Sequence, residues 1–171
     1  MKSKKIRTAD LVVIAFLITI EIVLTRFFSI NMQIVRIGFG FLPIALAGII
    51  FGPLWAGACY AIGDVLGVMI FPTGPYFPGF TLTAFLTGLV YGLILHGKPV
   101  TWRRTFFSAL VVCCILNLCL DTIWLFILYG HGVTVMLPSR LIKVCIMVPV
   151  QTLLIRFVWG RCSPMLGRGR I

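Results

Sequence analysis

The sequence predicts an all-α membrane protein, a bundle of six transmembrane helices with both termini on the cytoplasmic side. Three observations carry that expectation. Of the 171 residues, 60% are apolar and 11% charged, whereas water-soluble chains carry about a quarter charged residues. The mean hydropathy is +1.11, and the apolar residues fall into six runs divided by short polar, Gly- or Pro-bearing connections. Eleven of the fifteen Lys and Arg residues lie in three places, Lys2 to Arg7, Lys98 to Arg104 and Arg156 to Arg170. Those are where a membrane protein keeps its cytoplasmic ends and loops. The formal charge of +11 is therefore an orientation signal. It points to a lipid bilayer rather than to nucleic acid, and the length fits a single domain over residues 1–171.

The first span, Ala9 to Phe28, has about the 20 residues that cross a hydrocarbon core. Basic residues before it mimic a signal peptide, but the apolar run is too long, contains Glu21 and lacks a small-residue cleavage site, so a retained span is expected. It closes in Thr25-Arg26-Phe27-Phe28. A polar connection, Ser29 to Gly38, holds Asn31, Gln33 and Arg36. The second span, Phe39 to Ile50, is short and contains Pro43 and Gly48, which predicts a helix that is kinked, tilted or partly surrounded by protein. Phe51-Gly52-Pro53 predicts a tight turn, because glycine suits a helix end and proline cannot continue one.

The third span, Leu54 to Phe71, carries Gly57, Gly63 and Gly67. The fourth, Phe80 to Leu95, carries Thr81, Thr83, Thr87, Gly88 and Gly92. Small residues at helical spacing let backbones approach closely in lipid. The basic loop His96 to Arg104 follows, then a fifth span, Thr105 to Tyr129, a turn at Gly130-His131-Gly132, and a sixth span, Leu137 to Trp159, interrupted by Pro149. The outer loops are then Ser29 to Gly38, Pro72 to Gly79 and Gly130 to Leu137.

Apart from Glu21 and Tyr60, the chemistry is weighted toward the outer half. Charges inside a span are costly and usually face a cavity or a partner; here they are Glu21, Arg26, Asp64, Asp121, Arg140 and Lys143. Asn117, Asp121 and Trp124 share one face of the fifth span, Arg140, Lys143, Met147 and Gln151 nearly share one on the sixth, and Tyr60 and Asp64 share one on the third. Convergence of these stripes makes a polar cavity open to the outside; the structural alternative is mutual pairing, such as Asp121 with Arg140. Arg26, Arg36, Arg140 and Lys143 exceed the nearby acids, which favours an anionic ligand, since arginine grips carboxylate with two parallel hydrogen bonds. The rings of Phe39, Phe41, Tyr76, Phe77, Phe80 and Trp124 suit a flat ring system. Asp64 or Asp121 can accept two N–H donors from an aminopyrimidinone edge. The loop Pro72-Thr73-Gly74-Pro75-Tyr76-Phe77-Pro78-Gly79 has two readings: the stiff wall and lid of a ligand pocket, or a reverse turn whose aromatics sit at headgroup level.

Six cysteines lie mostly in apolar runs, where cysteine acts as a small hydrophobe. No Cys/His spacing matches a zinc site and no cofactor is expected. A Walker loop, a Gly-x-Ser-x-Gly elbow and a His-Glu-x-x-His pattern are absent from the sequence, so an enzyme is not expected. Uphill transport therefore needs energy from a partner or an ion gradient.

Several segments are similar to one known family: Leu24-Thr25-Arg26-Phe27, Arg36-Ile37-Gly38-Phe39-Gly40-Phe41-Leu42-Pro43-Ile44, Phe51-Gly52-Pro53-Leu54, Gly63-Asp64, and Pro72 through Thr81. With them the chain resembles, from Thr8 to about Trp159, the substrate-binding S component of an energy-coupling factor transporter, specifically its folate branch. The resemblance implies six helices with cytoplasmic ends and vitamin capture from outside. It also implies delivery inward by toppling against an energising module, a transmembrane coupling protein plus two ATP-binding-cassette ATPases. The family docks on that module through a small-xxx-small pattern, which falls here at Ala15 and Thr19, where alanine is more usual; internal packing is the alternative for those two. For folate, Arg26, Arg36 or Arg140 would meet the tail carboxylates, and Asp64 or Asp121 the pterin edge, between the rings of Phe39, Tyr76, Phe77, Phe80 and Trp124. The competing readings are an S component for riboflavin, thiamine or another pterin, and a stand-alone secondary transporter using Glu21 or Asp64 for protons.

Overall fold

The computed structural model describes residues 8–27, 30–31, 36–72, 76–129 and 137–162. Its helices are α1 (Thr8–Arg26), α2 (Phe41–Phe51), α3 (Pro53–Ile70), α4 (Pro78–Leu95), α5 (Trp102–Val111), α6 (Asp121–Tyr129) and α7 (Leu137–Cys162). A π-helical stretch, Val112–Leu120, joins α5 to α6 in one rod. Five helices are long and apolar enough to cross a membrane: α1, α3, α4, the α5–α6 rod and α7. At 1.5 Å per residue the 11-residue α2 spans only about half of a ~30 Å hydrocarbon core.

Several expectations are corrected or narrowed. The connection after α1 holds a small hairpin, β1 (Ile30–Asn31) antiparallel to β2 (Arg36–Ile37), with Ile30 opposite Ile37. For the short second span, enclosure by protein is the alternative observed; Pro43 stands in the first turn of α2, where backbone N–H groups have no intrahelical partner to lose. Pro149 does not interrupt α7, which runs on through it to Cys162; apolar surroundings leave the backbone no better partner than the helix itself. The basic loop is also shorter than expected, since Trp102, Arg103 and Arg104 already belong to α5.

The short α2 survives by being enclosed. Seven of its residues are buried, and Phe41, Ala45 and Ile49 join Tyr91, Leu95, Val112, Leu116, Met147 and Ile155 in the main core. It ends where Gly52 adopts φ 94°, a conformation glycine takes without Cβ strain, and Pro53 opens α3 at once. His96 closes the same corner, its Nδ1 2.9 Å from the Ile49 carbonyl.

The most extensive helix contact is between α3 and α4. A Cβ at Gly88 would overlap the Ala56 carbonyl and one at Gly92 would overlap Pro53, while Gly48 of α2 lies against the Gly92 backbone. Close backbone approach is what replaces the hydrophobic driving force between helices in lipid. Outside this contact the bundle shows apolar side chains to its surroundings, among them Val12, Phe16, Met69, Phe107, Ile142 and Phe157.

Gly92→Leu is expected to part α3 from α4 and to cost at least the 1–3 kcal/mol typical of overpacking, read as a lower unfolding midpoint in detergent. Gly97→Ala meets open space around its Cβ position but must hold a φ of 66°, and should cost about 1–2 kcal/mol for the left-handed backbone alone.

Candidate functional site

Five of the six apolar helical rods converge on a cavity of about 450 Å³, and α2 closes it through Phe41. That volume lies in the range of pockets that enclose drug-sized ligands. Position along each helix orders the lining. Arg26 at the end of α1, Phe80 at the start of α4, Leu128 near the end of α6 and Arg140 near the start of α7 mark one end, with Tyr76 and Phe77 beside them. Tyr60, Thr87, Cys113, Met147 and Gln151, further along their helices, mark the other.

Glycines on α3 seat the charged groups of α1. A Cβ at Gly63 would overlap the Glu21 carboxylate, and one at Gly67 would stand 2.9 Å from the Arg26 Nε. Glu21 is buried, at 1% exposure, and accepts the Thr25 O–H at 2.7 Å. Two of the expected small-residue positions on α3 thus make room for side chains rather than for another helix.

At the mouth a chain of hydrogen bonds ties loop to helix. Thr81 donates to Asp64 Oδ2 at 2.8 Å, which leaves its oxygen to accept from the Tyr76 hydroxyl at 3.2 Å. Behind it the Trp124 indole N–H donates to Thr83 Oγ1 at 3.1 Å, and Thr83 donates to the Gly79 carbonyl at 3.2 Å. The Phe77 ring lies 5.7 Å from Trp124 and 6.1 Å from Phe80. Gly79 fits between Phe77 and Trp124, where a Cβ would clash with both. This is wall geometry, so the described part of the loop fits the first of its two readings.

Arg140 donates from Nη1 to Thr122 Oγ1 at 2.7 Å, and Thr122 donates to the Leu118 carbonyl of the π-helical stretch. Asp121 lies within electrostatic range of Lys143, Arg140 and Asp64. At the floor the fully buried Tyr91 donates to Gln151 Oε1 at 2.8 Å, and the Cys113 thiol approaches the same oxygen at 3.4 Å. Gln151 itself lines the cavity. Among the described residues no three His, Cys, Asp or Glu side chains group as a metal site.

The family of ECF transporter substrate-specific components matches residues 9–160. The chain belongs to this family. It is 48% identical over 149 residues to the folate transporter FolT of Clostridium novyi, covering 87% of each chain. It is 34% identical over 154 residues to FolT of Leuconostoc mesenteroides, covering 86% of this chain and 82% of that one. A crystal structure described as FolT bound with folic acid superposes with a TM-score of 0.86 at 37% identity, over 91% of this chain and 95% of the other. The S-component fold is thus established, and membership of a transporter family sets the chain among transport proteins.

In this S component, seven of the ten expected ligand residues line one cavity: Arg26, Asp64, Tyr76, Phe77, Phe80, Asp121 and Arg140. Trp124 stands one layer back, bracing Thr83 and Phe77. Phe39 packs against the main core instead, and the Arg36 side chain lies outside the described residues. The described lining balances Glu21, Asp64 and Asp121 against Arg26, Arg140 and Lys143, so the expected cationic surplus rests on Arg36 alone. Thr83 was not among the expected site residues, and threonine on a small-residue face gives no signal that it will carry an indole hydrogen bond.

Tyr91→Phe is expected to leave Gln151 Oε1 with only the weak thiol donor and to cost about 1–2 kcal/mol. A lower unfolding midpoint with unchanged helical content would show it.

Proposed function

We propose that this S component captures folate from outside the cell and delivers it inward by toppling when docked on an ATPase-driven energising module. The observation that carries the reading is one cavity in which these groups meet, with Arg26, Arg140, Asp64 and the rings of Tyr76, Phe77 and Phe80 toward the mouth and the Gln151 amide at the floor. A flat, amine-bearing heterocycle with a carboxylate tail matches that set of groups. The tail would meet Arg26, Arg140 and Arg36 at the mouth as charge-assisted pairs. The ring would lie among Tyr76, Phe77 and Phe80, and its aminopyrimidinone edge would reach Asp64 or Asp121. The named relatives support the same ligand: two are folate transporters, and the solved neighbour is described as holding folic acid.

The same reading has one unit crossing the cell membrane six times, α2 included, with both termini cytoplasmic. The basic clusters at Lys98 to Arg104 and Arg156 to Arg170 support that orientation, and it turns the cavity mouth outward. Docking on the transmembrane coupling protein would use Ala15 and Thr19. Both are exposed on α1, and the Thr19 hydroxyl is satisfied internally by the Ala15 carbonyl at 2.9 Å. The threonine therefore presents a methyl to its partner, which is how it can stand in for alanine on an apolar docking face.

Calorimetric titration of the purified protein is expected to show folic acid binding, with riboflavin and thiamine failing to compete. Arg26→Ala and Arg36→Ala should each weaken binding by about tenfold or more, as expected for a lost charge-assisted bond; wild-type affinity in both would remove these arginines from the tail site. Uptake, but not binding, should vanish in cells lacking the ATPases, whereas persistent uptake would favour a stand-alone transporter.

A further inference from the structure

At the basic end of the bundle a second hollow, of about 400 Å³, lies between α5 and α7. Its walls are Trp102 and Phe106, one turn apart on α5, and Pro149, Thr152 and Leu153 on α7. It is dry: the Thr152 hydroxyl bonds the Val148 carbonyl of its own helix, and the other four walls are apolar. Trp102, Phe106 and Leu153 are exposed along it, at 53%, 47% and 55%. It is separate from the folate cavity, with which it shares no lining residue.

Arg103 stands at the rim. Among the described residues its guanidinium makes no hydrogen bond and no ion pair, while Arg156 beyond it is held by the Val100 carbonyl. The neighbouring Arg104 carries a buried Nη1 without a hydrogen-bond partner. From Lys98 to Trp102 and over the last two turns of α7 the sequence offers no carboxylate, so neither adjoining segment supplies a counter-charge. An apolar groove with a free guanidinium at its membrane-interface end is complementary to one molecule of the bilayer, an anionic phospholipid. A tail would lie along Phe106, Pro149 and Leu153, the glycerol region beside Trp102, whose ring favours that depth, and the phosphate on Arg103.

We infer that the α5–α7 groove is a selective site for an anionic phospholipid, its phosphate held by Arg103 and its acyl chain by Phe106, Pro149 and Leu153. The test is retention of lipid by the full chain purified from nanodiscs of equal phosphatidylglycerol and phosphatidylcholine, counted by native mass spectrometry. Phosphatidylglycerol should be retained several-fold over phosphatidylcholine. Arg103→Gln should abolish the preference, and Leu153→Trp, which fills the groove at unchanged charge, should abolish retention. Arg161→Gln, a basic change at the same end outside the groove, should leave both unchanged. All three variants should bind folic acid as the wild type does, which separates loss of the lipid from loss of the fold. Equal retention of the two lipids would overturn the inference. So would a preference that survives Arg103→Gln, or one that falls as far with Arg161→Gln, since both mean a diffuse surface potential. Retention that appears only when the coupling protein is absent would mark the groove as its seat instead and overturn the lipid site.

Discussion

Charged groups at membrane depth must be kept from lipid, and here a pair of glycines does it. Glu21 and Arg26 of α1 reach across to α3 at Gly63 and Gly67, where any side chain would occupy their places. A charged side chain at membrane depth is costly, so α1 docks on α3 in the register that buries Glu21 and turns Arg26 into the cavity. That contact fixes one wall of the cavity. The other walls, carrying Asp64, Asp121, Arg140 and Lys143, are turned inward by the same cost, and the hollow is where the inward faces meet.

A second constraint shapes the floor. The half-length α2 leaves room above itself, and the cavity occupies it: Gly38 and Gly40, just before the helix, and Phe41 at its start are all in the lining. Glycines let α2, α3 and α4 meet backbone to backbone below that level, through Gly48, Gly88 and Gly92. Tight packing at one end and open space at the other follow from one short helix among long ones. The buried Tyr91–Gln151 pair sits at the boundary, satisfying polar groups that would otherwise face the core.

Much of this was legible in the sequence. Acids and bases on otherwise apolar helices announce an inward face, and helical spacing correctly grouped Asn117 with Asp121 and Arg140 with Lys143. Glycine spacing on α3 and α4 foretold close packing, and Phe51-Gly52-Pro53 foretold the turn. What periodicity cannot supply is the partner of each small residue. Gly88 and Gly92 admit a helix while Gly63 and Gly67 admit side chains, though the four look alike in one dimension. Proline misled for a related reason. Its effect depends on whether the freed backbone has a better partner than the helix, and in apolar surroundings it has none, so α7 runs on through Pro149. Phe39 was assigned to the site by its neighbours in sequence, yet it packs against the core, because an aromatic ring gives no sign of which hollow it will fill.

The rod that carries Asp121 shows how backbone geometry and site chemistry join. From Val112 to Leu120 the chain is π-helical, a wider winding that changes which side chains face inward and is often found at functional sites. Within it the Leu118 carbonyl is taken by the Thr122 hydroxyl. That hydroxyl in turn accepts from Arg140 on α7. An arginine at the mouth is thus aimed by a hydroxyl that is itself held by the helix opposite. Were this stretch to relax to an α-helix, Asn117 and Cys113 would rotate relative to Asp121, whereas the Thr122 hydroxyl could keep its i−4 bond and go on accepting from Arg140. The winding therefore belongs to the site as much as the side chains do, and one continuous rod ties the cation at the mouth to the amide at the floor.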